Sequence, residues 1–120
     1  MPTISENRFF TVIIEWEVLP ERQLALIDGV AHEVEQHFKR YAGFVSASFH
    51  ASEGGRRVIN YGQWRSKEDW SRARTHGNDE ATAAIAEVIC RCGAKSVKVD
   101  TFRVARVVEN AFTPDLETKP

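Results

Sequence analysis

Residues 43–64, GFVSASFHASEGGRRVINYGQW, contain the pattern on which the fold depends. Two strand-like runs, 44–51 and 58–64, are separated by SEGG, whose glycines suit a tight turn. We therefore predict a β-hairpin. Its second strand contains Asn60, and asparagine is depleted in strands. Such a residue indicates either an exposed sheet edge or a polar group that is placed there for function.

Two further strands are predicted on either side of this hairpin. Residues 9–17, FFTVIIEWE, are apolar on both faces at first, which indicates a strand that is central or covered on both sides. Residues 96–108 alternate as a long fourth strand. The remaining residues, 109–120, are predicted to be a tail, and residues 1–8 an N-terminal arm.

Two helices are predicted between these strands. The first begins at Pro20 and ends at Gly43, and Gly29 within it should allow close packing on a sheet. Its apolar stripe consists of Leu24, Ile27, Ala31, Val34, Phe38 and Tyr41. The second begins near Lys67, where Ser66 and Asp69 approximate a capping box. It breaks at His76-Gly77-Asn78, continues from Asp79 and ends at Gly93, with Ala81, Ala84, Ile85, Val88 and Ile89 as its apolar stripe.

The order β-α-β-β-α-β predicts one α+β domain over residues 9–108, with the ferredoxin-like arrangement of an antiparallel four-stranded sheet. Two helices can cover only one face of that sheet. Because the other face also carries apolar residues, we expect a second copy of the chain to cover it, which gives a homodimer.

Composition and charge exclude several classes of function. With 28% charged residues, a net charge of -1 and a pI of about 6.4, the chain is not expected to bind nucleic acid or a membrane. Its start resembles no secretory signal, so a cytoplasmic location is expected. Cys90 and Cys92 should be reduced thiols, and the spacing of His32 and His37 does not fit the HExxH zinc helix. No metal site is therefore predicted.

The motifs GFxSAxxHAS and VxNYxQW resemble those of the antibiotic biosynthesis monooxygenase family of dimeric α+β barrels. Within that family the resemblance, which covers residues 9–108, is to the small anthrone monooxygenases of aromatic polyketide pathways. It implies an oxygenase that uses no flavin, haem or metal. A phenolic substrate is ionised, reduces O2 directly and becomes a quinone, in a pocket between the sheet and the helices.

The resemblance also assigns the catalytic candidates. Asn60 and Trp64 match the family's functional asparagine and tryptophan, and strand alternation places both on one face. Each can donate an N–H to a developing phenolate or peroxide oxygen. Tyr61 and Gln63 then point to the opposite face, where interface hydrogen bonding is their expected role.

Four residues are candidates for substrate binding. Phe49 and Trp70 stand where the family has tyrosines. The arginine that the polyketide enzymes carry in the second helix falls near Ala84, and Arg72 and Arg74 are its candidate replacements from the preceding turn.

Two other functions are compatible with the sequence. A haem-degrading branch of the same superfamily has an asparagine that matches Asn7, but Ala73 and Ala83 stand near the positions of its required tryptophan and axial histidine. The second alternative is a non-catalytic dimer that binds a small aromatic ligand, which the loss of a tyrosine at Phe49 would favour.

Overall fold

The computed structural model describes Ile4, residues 8–75 and residues 79–111. The predicted break at His76-Gly77-Asn78, the Asn7 position and the tail beyond residue 111 lie outside this part of the chain. The order of elements is β1 (Phe10–Glu17), a 3₁₀ turn (Pro20–Arg22), α1 (Gln23–Phe38), β2 (Phe44–Ala51), β3 (Arg57–Trp64), α2 (Lys67–Thr75), α3 (Asp79–Arg91) and β4 (Lys95–Arg103). None of the described helices is both long enough and apolar enough to cross a bilayer.

The four strands form one antiparallel sheet in the order β2-β3-β1-β4. The predicted ferredoxin-like α+β fold is therefore confirmed, with the apolar β1 in the interior of the sheet. Since β3 lies between β2 and β1, Asn60 is not on an exposed edge. The first of the two explanations for this residue is thereby removed.

The predicted hairpin closes through the SEGG segment. The Gly55 N–H donates to the Ser52 carbonyl at 3.0 Å, and Gly55 has a φ of 81°, a left-handed conformation that glycine adopts without strain. Gln23 of α1 is buried and its amide donates to the carbonyls of Ser52 (3.1 Å) and Arg57 (3.0 Å). A glutamine from α1 therefore ties the hairpin to the helix layer, a contact that the sequence pattern did not predict.

The main core lies between one face of the sheet and the helices. Trp16 and Val58 from the sheet pack with Leu26 and Val30 of α1 and with Val88 of α3, and each is at most 3% exposed.

The predicted apolar stripe of α1 is wrong at one position, since Leu24 is 68% exposed. Successive residues of an α-helix point in directions about 100° apart. Because Gln23 points into the core, Leu24 lies beyond the edge of the buried stripe. Leu26 takes its place, fully buried.

Gly29 permits a close helix contact, but with α3 and not with the sheet as predicted. A Cβ at this position would lie 2.6 Å from Val88 Cγ1, closer than carbon atoms approach. The glycine therefore lets α1 and α3 pack against each other directly.

The fourth strand is shorter than the alternation predicted. β4 ends at Arg103, which pairs with Phe10, the first residue of β1. The predicted strand continues over residues 104–108. However, β1 has no residue before Phe10 with which these residues could form ladder hydrogen bonds. The length of β4 is set by its partner strand.

The opposite face of the sheet carries a mixed surface. Ile13, Ile59 and Tyr61 are half-buried there, and Phe102 is 45% exposed. Gln63 is 2% exposed within the single chain and accepts a hydrogen bond from the Ser46 hydroxyl at 2.9 Å.

Candidate active site

A cavity of about 350 Å³ lies between the sheet and the helices, beneath α2 and α3. It is mostly apolar and has the size of a small-molecule site. Small residues facing it, such as Gly62, Ala73 and Ala86, leave this space unfilled. The sheet contributes Val12, Ile14, Asn60, Gly62, Trp64 and Val99, and the helices contribute Phe38, Trp70, Ala73, Arg74, Thr82, Ile85, Ala86 and Ile89.

The floor of the cavity is formed by alternate residues of β3. Asn60, Gly62 and Trp64 project from the helix-covered face, as the strand period requires. In the antiparallel register Asn60 lies opposite Ile14, and Gly62 lies opposite Val12. The two predicted catalytic residues are therefore in one cavity, separated by a residue without a side chain.

The Asn60 side chain combines a buried oxygen with a position in the cavity wall. Its Oδ1 atom is buried and has no hydrogen-bond partner among the residues that the structure describes. Such unpaired buried groups are rare in folded proteins and call for an explanation. Because the oxygen is enclosed while the residue lines the cavity, we infer that the amide NH₂ group is the end that faces the interior of the site.

Trp64 is buried among aromatic neighbours. It is 8% exposed, and its ring makes edge-on contacts with Phe38, Tyr41 and Phe44 at centroid distances of 6.0, 6.2 and 5.4 Å. Edge-to-face contacts of this kind stabilise aromatic clusters. The indole nitrogen lies over the floor, since a Cβ at Gly62 would be 3.8 Å from Nε1. Trp64 is thus both a core residue and part of the cavity wall.

Trp70 and Arg74 close the cavity on the side of α2. The Arg74 guanidinium stacks on the Trp70 ring, 4.8 Å from its centroid, and Trp70 also contacts Phe10 at 5.6 Å. Among the described lining residues Arg74 is the one cation, and none of them is Asp, Glu or His. Arg74 is itself exposed, so its charge stands at the rim of the cavity.

The structure does not bring Phe49 and Arg72 to this cavity. Phe49 lies opposite Asn60 on β2, but it packs against the main core and borders a shallow groove beside α1. Arg72 faces away, with its side chain 59% exposed and 3.5 Å from an oxygen of Asp69. Of the six predicted site residues, the structure therefore gathers Asn60, Trp64, Trp70 and Arg74.

Several lining residues were not predicted from the sequence. Gly62 could have been noticed, because a glycine inside a strand often marks a close approach of another group. Thr82 and Ala86 of α3 carry no such signal. Of the positions relevant to haem degradation, Ala73 lines the cavity and Ala83 is exposed, and neither supplies a tryptophan or an axial histidine.

The family model described as antibiotic biosynthesis monooxygenase matches residues 9–87. The chain belongs to this family. The resemblance that the hairpin motifs predicted is therefore confirmed, and the antibiotic biosynthesis monooxygenase fold agrees with the sheet order described above.

The chain is also similar in sequence to a curated protein. It is 42% identical over 71 residues to tetracenomycin-F1 monooxygenase of Streptomyces glaucescens, a match that covers 58% of this chain and 63% of that protein. The chain thus spans somewhat less than two thirds of the curated relative that it matches.

Solved structures also resemble it. A monooxygenase from the gene ActVA-Orf6 of Streptomyces coelicolor, in complex with the ligand Nanaomycin D, has a TM-score of 0.65 and 28% identity, covering 86% of this chain and 95% of that one. SnoaB, a cofactor-independent oxygenase from Streptomyces nogalater, has a TM-score of 0.62 at 14% identity, covering 86% of this chain and 99% of that one. The second likeness concerns the fold alone.

Proposed function

We propose that this protein is a monooxygenase that oxidises a phenolic, anthrone-type aromatic substrate with O2 to a quinone, without flavin, haem or metal. The observation that carries the proposal is the Asn60 amide on the floor of an apolar cavity, with its oxygen atom buried and unpaired among the described residues. Membership of the antibiotic biosynthesis monooxygenase family and the similarity to tetracenomycin-F1 monooxygenase support it.

The overall reaction converts the CH₂ group of an anthrone to a carbonyl. Loss of a proton gives an electron-rich anion, which transfers one electron to O2. The resulting radical pair combines to a peroxide on the former CH₂ carbon. This peroxide then loses water, so that one oxygen atom stays in the quinone and the other leaves with two hydrogens. The substrate supplies all the electrons that O2 accepts.

The contribution of the chain is to stabilise the anion and to orient it. A phenol comparable to tyrosine has a pKa of about 10, so the ionised form needs support at neutral pH. The Asn60 NH₂ group and the Arg74 guanidinium can provide it, by hydrogen bonding and by charge. Since no Asp, Glu or His is among the described lining residues, we expect the substrate proton to pass to solvent.

The apolar walls contribute as well. Val12, Ile14, Ile85 and Ile89 surround the bound ring and exclude water, which strengthens the hydrogen bond from Asn60. Trp70 can cover the face of a flat aromatic molecule, and Arg74 stacked on it keeps that ring in place.

The test is O2 consumption by chelator-treated protein with dihydroxyanthrone, for wild type and Asn60→Ala. Removal of one preorganised hydrogen-bond donor costs roughly 10²–10³ in kcat, and we expect a loss of this size. Leu24→Ala, on an exposed part of α1, serves as the control and should retain full activity. Unchanged turnover by Asn60→Ala would remove the assigned role. Tight binding of anthrones with no O2 uptake by wild type would favour the non-catalytic alternative.

We also propose that the protein acts as a homodimer, with the sheet face opposite the cavity as its interface. Ile13, Ile59, Tyr61 and Phe102 lie there, and none of the three described helices packs on it. Sedimentation equilibrium should give twice the chain mass of 13.6 kDa. Ile59→Asp should shift the species towards the monomer, whereas Leu24→Asp should not. A monomeric wild type at micromolar concentration would refute the proposal.

A further inference from the structure

Two buried polar atoms on the helix-covered face of the sheet lack hydrogen-bond partners among the described residues. One is Oδ1 of Asn60, an acceptor, and the other is Nε1 of Trp16, which is a donor only. Trp16 is 3% exposed and belongs to the main core. Leaving a buried donor or acceptor unpaired is costly, and the needs of these two atoms are complementary.

The register of the sheet places the two residues near each other. Trp16 lies opposite Val58, and Asn60, two residues further along β3, lies opposite Ile14. Trp16 and Asn60 are therefore diagonal neighbours on the same face. Diagonal neighbours in an antiparallel pair are within reach when one side chain is aromatic or long, and an indole extends its N–H well beyond its Cβ.

We propose that Trp16 is a positioning residue for Asn60. A small rotation of the indole brings its N–H to the amide oxygen of Asn60, and this hydrogen bond holds the amide NH₂ group towards the cavity. A 180° rotation of the amide would exchange the two ends and present an acceptor to the substrate oxygen instead. The inference rests on the proposed function, because it assigns a purpose to the orientation of Asn60.

Thr11 provides a matched control for this reasoning. Its Oγ1 atom is also buried and without a partner among the described residues, and Thr11 is 2% exposed. However, Thr11 lies on the other face of β1, since it is paired with Gln63. Removing the Thr11 hydroxyl eliminates a buried unpaired polar atom, as removing the Trp16 N–H does. It leaves the environment of Asn60 unchanged.

The experiment compares Trp16→Phe with Thr11→Val, both as full-length protein. Trp16→Phe keeps an aromatic ring and removes the N–H. We expect about tenfold lower kcat for dihydroxyanthrone with KM nearly unchanged, because a misoriented donor weakens transition-state stabilisation more than binding. Thr11→Val should have the kcat and KM of wild type. In the Asn60→Ala background, Trp16→Phe should have no further effect, since residues that act through one another are not additive. Full activity of Trp16→Phe, or additive losses, would overturn the proposal.

A second measurement does not depend on turnover or on the folding of Trp16→Phe. In wild type the Trp16 indole N–H, observed by NMR, should exchange slowly with solvent deuterium. In Asn60→Ala it should exchange at least tenfold faster, while the exchange of the Trp70 indole N–H is unchanged. Equal rates for Trp16 in the two proteins would overturn the inference. If wild type consumed no O2 but this difference were found, the proposed function would fail while the contact between Trp16 and Asn60 would stand.

Discussion

Gly62→Ala is expected to impair the proposed reaction without weakening the fold. A Cβ at this position would lie 3.5 Å from the Val12 carbonyl oxygen and 3.8 Å from Trp64 Nε1, which are ordinary contact distances. The substitution therefore fits without displacing the backbone. Replacing glycine by alanine where the conformation allows it adds about 0.4–1 kcal/mol of stability, because the unfolded chain loses freedom. The free energy of unfolding should be unchanged or slightly higher.

The effect on activity follows from where the methyl group lies. It takes about 30 Å³, the share of one water molecule in the liquid, from a cavity of about 350 Å³. This loss is small in volume, but it lies between Asn60 and Trp64, where a flat substrate would rest. Lifting the substrate by about 1 Å can cost on the order of 10²-fold in rate, and we expect a loss of this size in kcat/KM.

Two assays separate these effects. In urea unfolding, Gly62→Ala should be at least as stable as wild type. In O2 uptake with dihydroxyanthrone, it should show the expected loss in kcat/KM. Gly54→Ala is the control, because a Cβ there meets nothing within 4 Å. It should leave O2 uptake unchanged, and its free energy of unfolding should be unchanged or slightly higher, as for Gly62→Ala. Full activity of Gly62→Ala would mean that the substrate does not rest on this floor. A clear loss of stability would refute the steric reasoning itself.

Three further changes test other parts of the structure. Gly29→Ala should lower the free energy of unfolding measured in urea. The new Cβ would lie 2.6 Å from Val88, and such overpacking costs about 1–3 kcal/mol. This cost exceeds the gain of about 1 kcal/mol in helix propensity. An equally stable variant would contradict the close packing of α1 on α3. Arg74→Gln should raise KM for dihydroxyanthrone about tenfold by removing a charge that favours the anion, whereas Arg72→Gln, outside the cavity, should not; equal effects would remove the assigned difference. Ser66→Ala should lower the melting temperature, because its hydroxyl accepts the Asp69 N–H at 3.1 Å and such caps contribute about 1 kcal/mol; an unchanged melting temperature would show that this cap adds nothing.

The sequence determined those features that depend on neighbouring residues. β2 spans the predicted residues, Phe44–Ala51, and α2 begins at Lys67 as the Ser66 cap indicated. Turn glycines, caps and strand alternation act over a few residues, so they can be recognised without knowledge of the rest of the molecule. The family motifs around Asn60 are of the same local kind.

The tertiary structure determined the features that depend on distant partners. β4 ends at Arg103 because β1 begins at Phe10, and no residue near Arg103 in the sequence carries that information. Leu24 is exposed because the rotation of α1 is set by what it packs against.

The candidate site is divided in the same way. Asn60 and Trp64 could be paired from strand alternation. Both Arg72 and Arg74 are exposed, and only the placement of α2 shows that Arg74 lines the cavity and Arg72 does not. Ala86 was not predicted, because a small side chain leaves space only where α3 faces the sheet. A cavity is the volume that several packed elements leave unfilled. Its outline therefore appears only when all of them are in place.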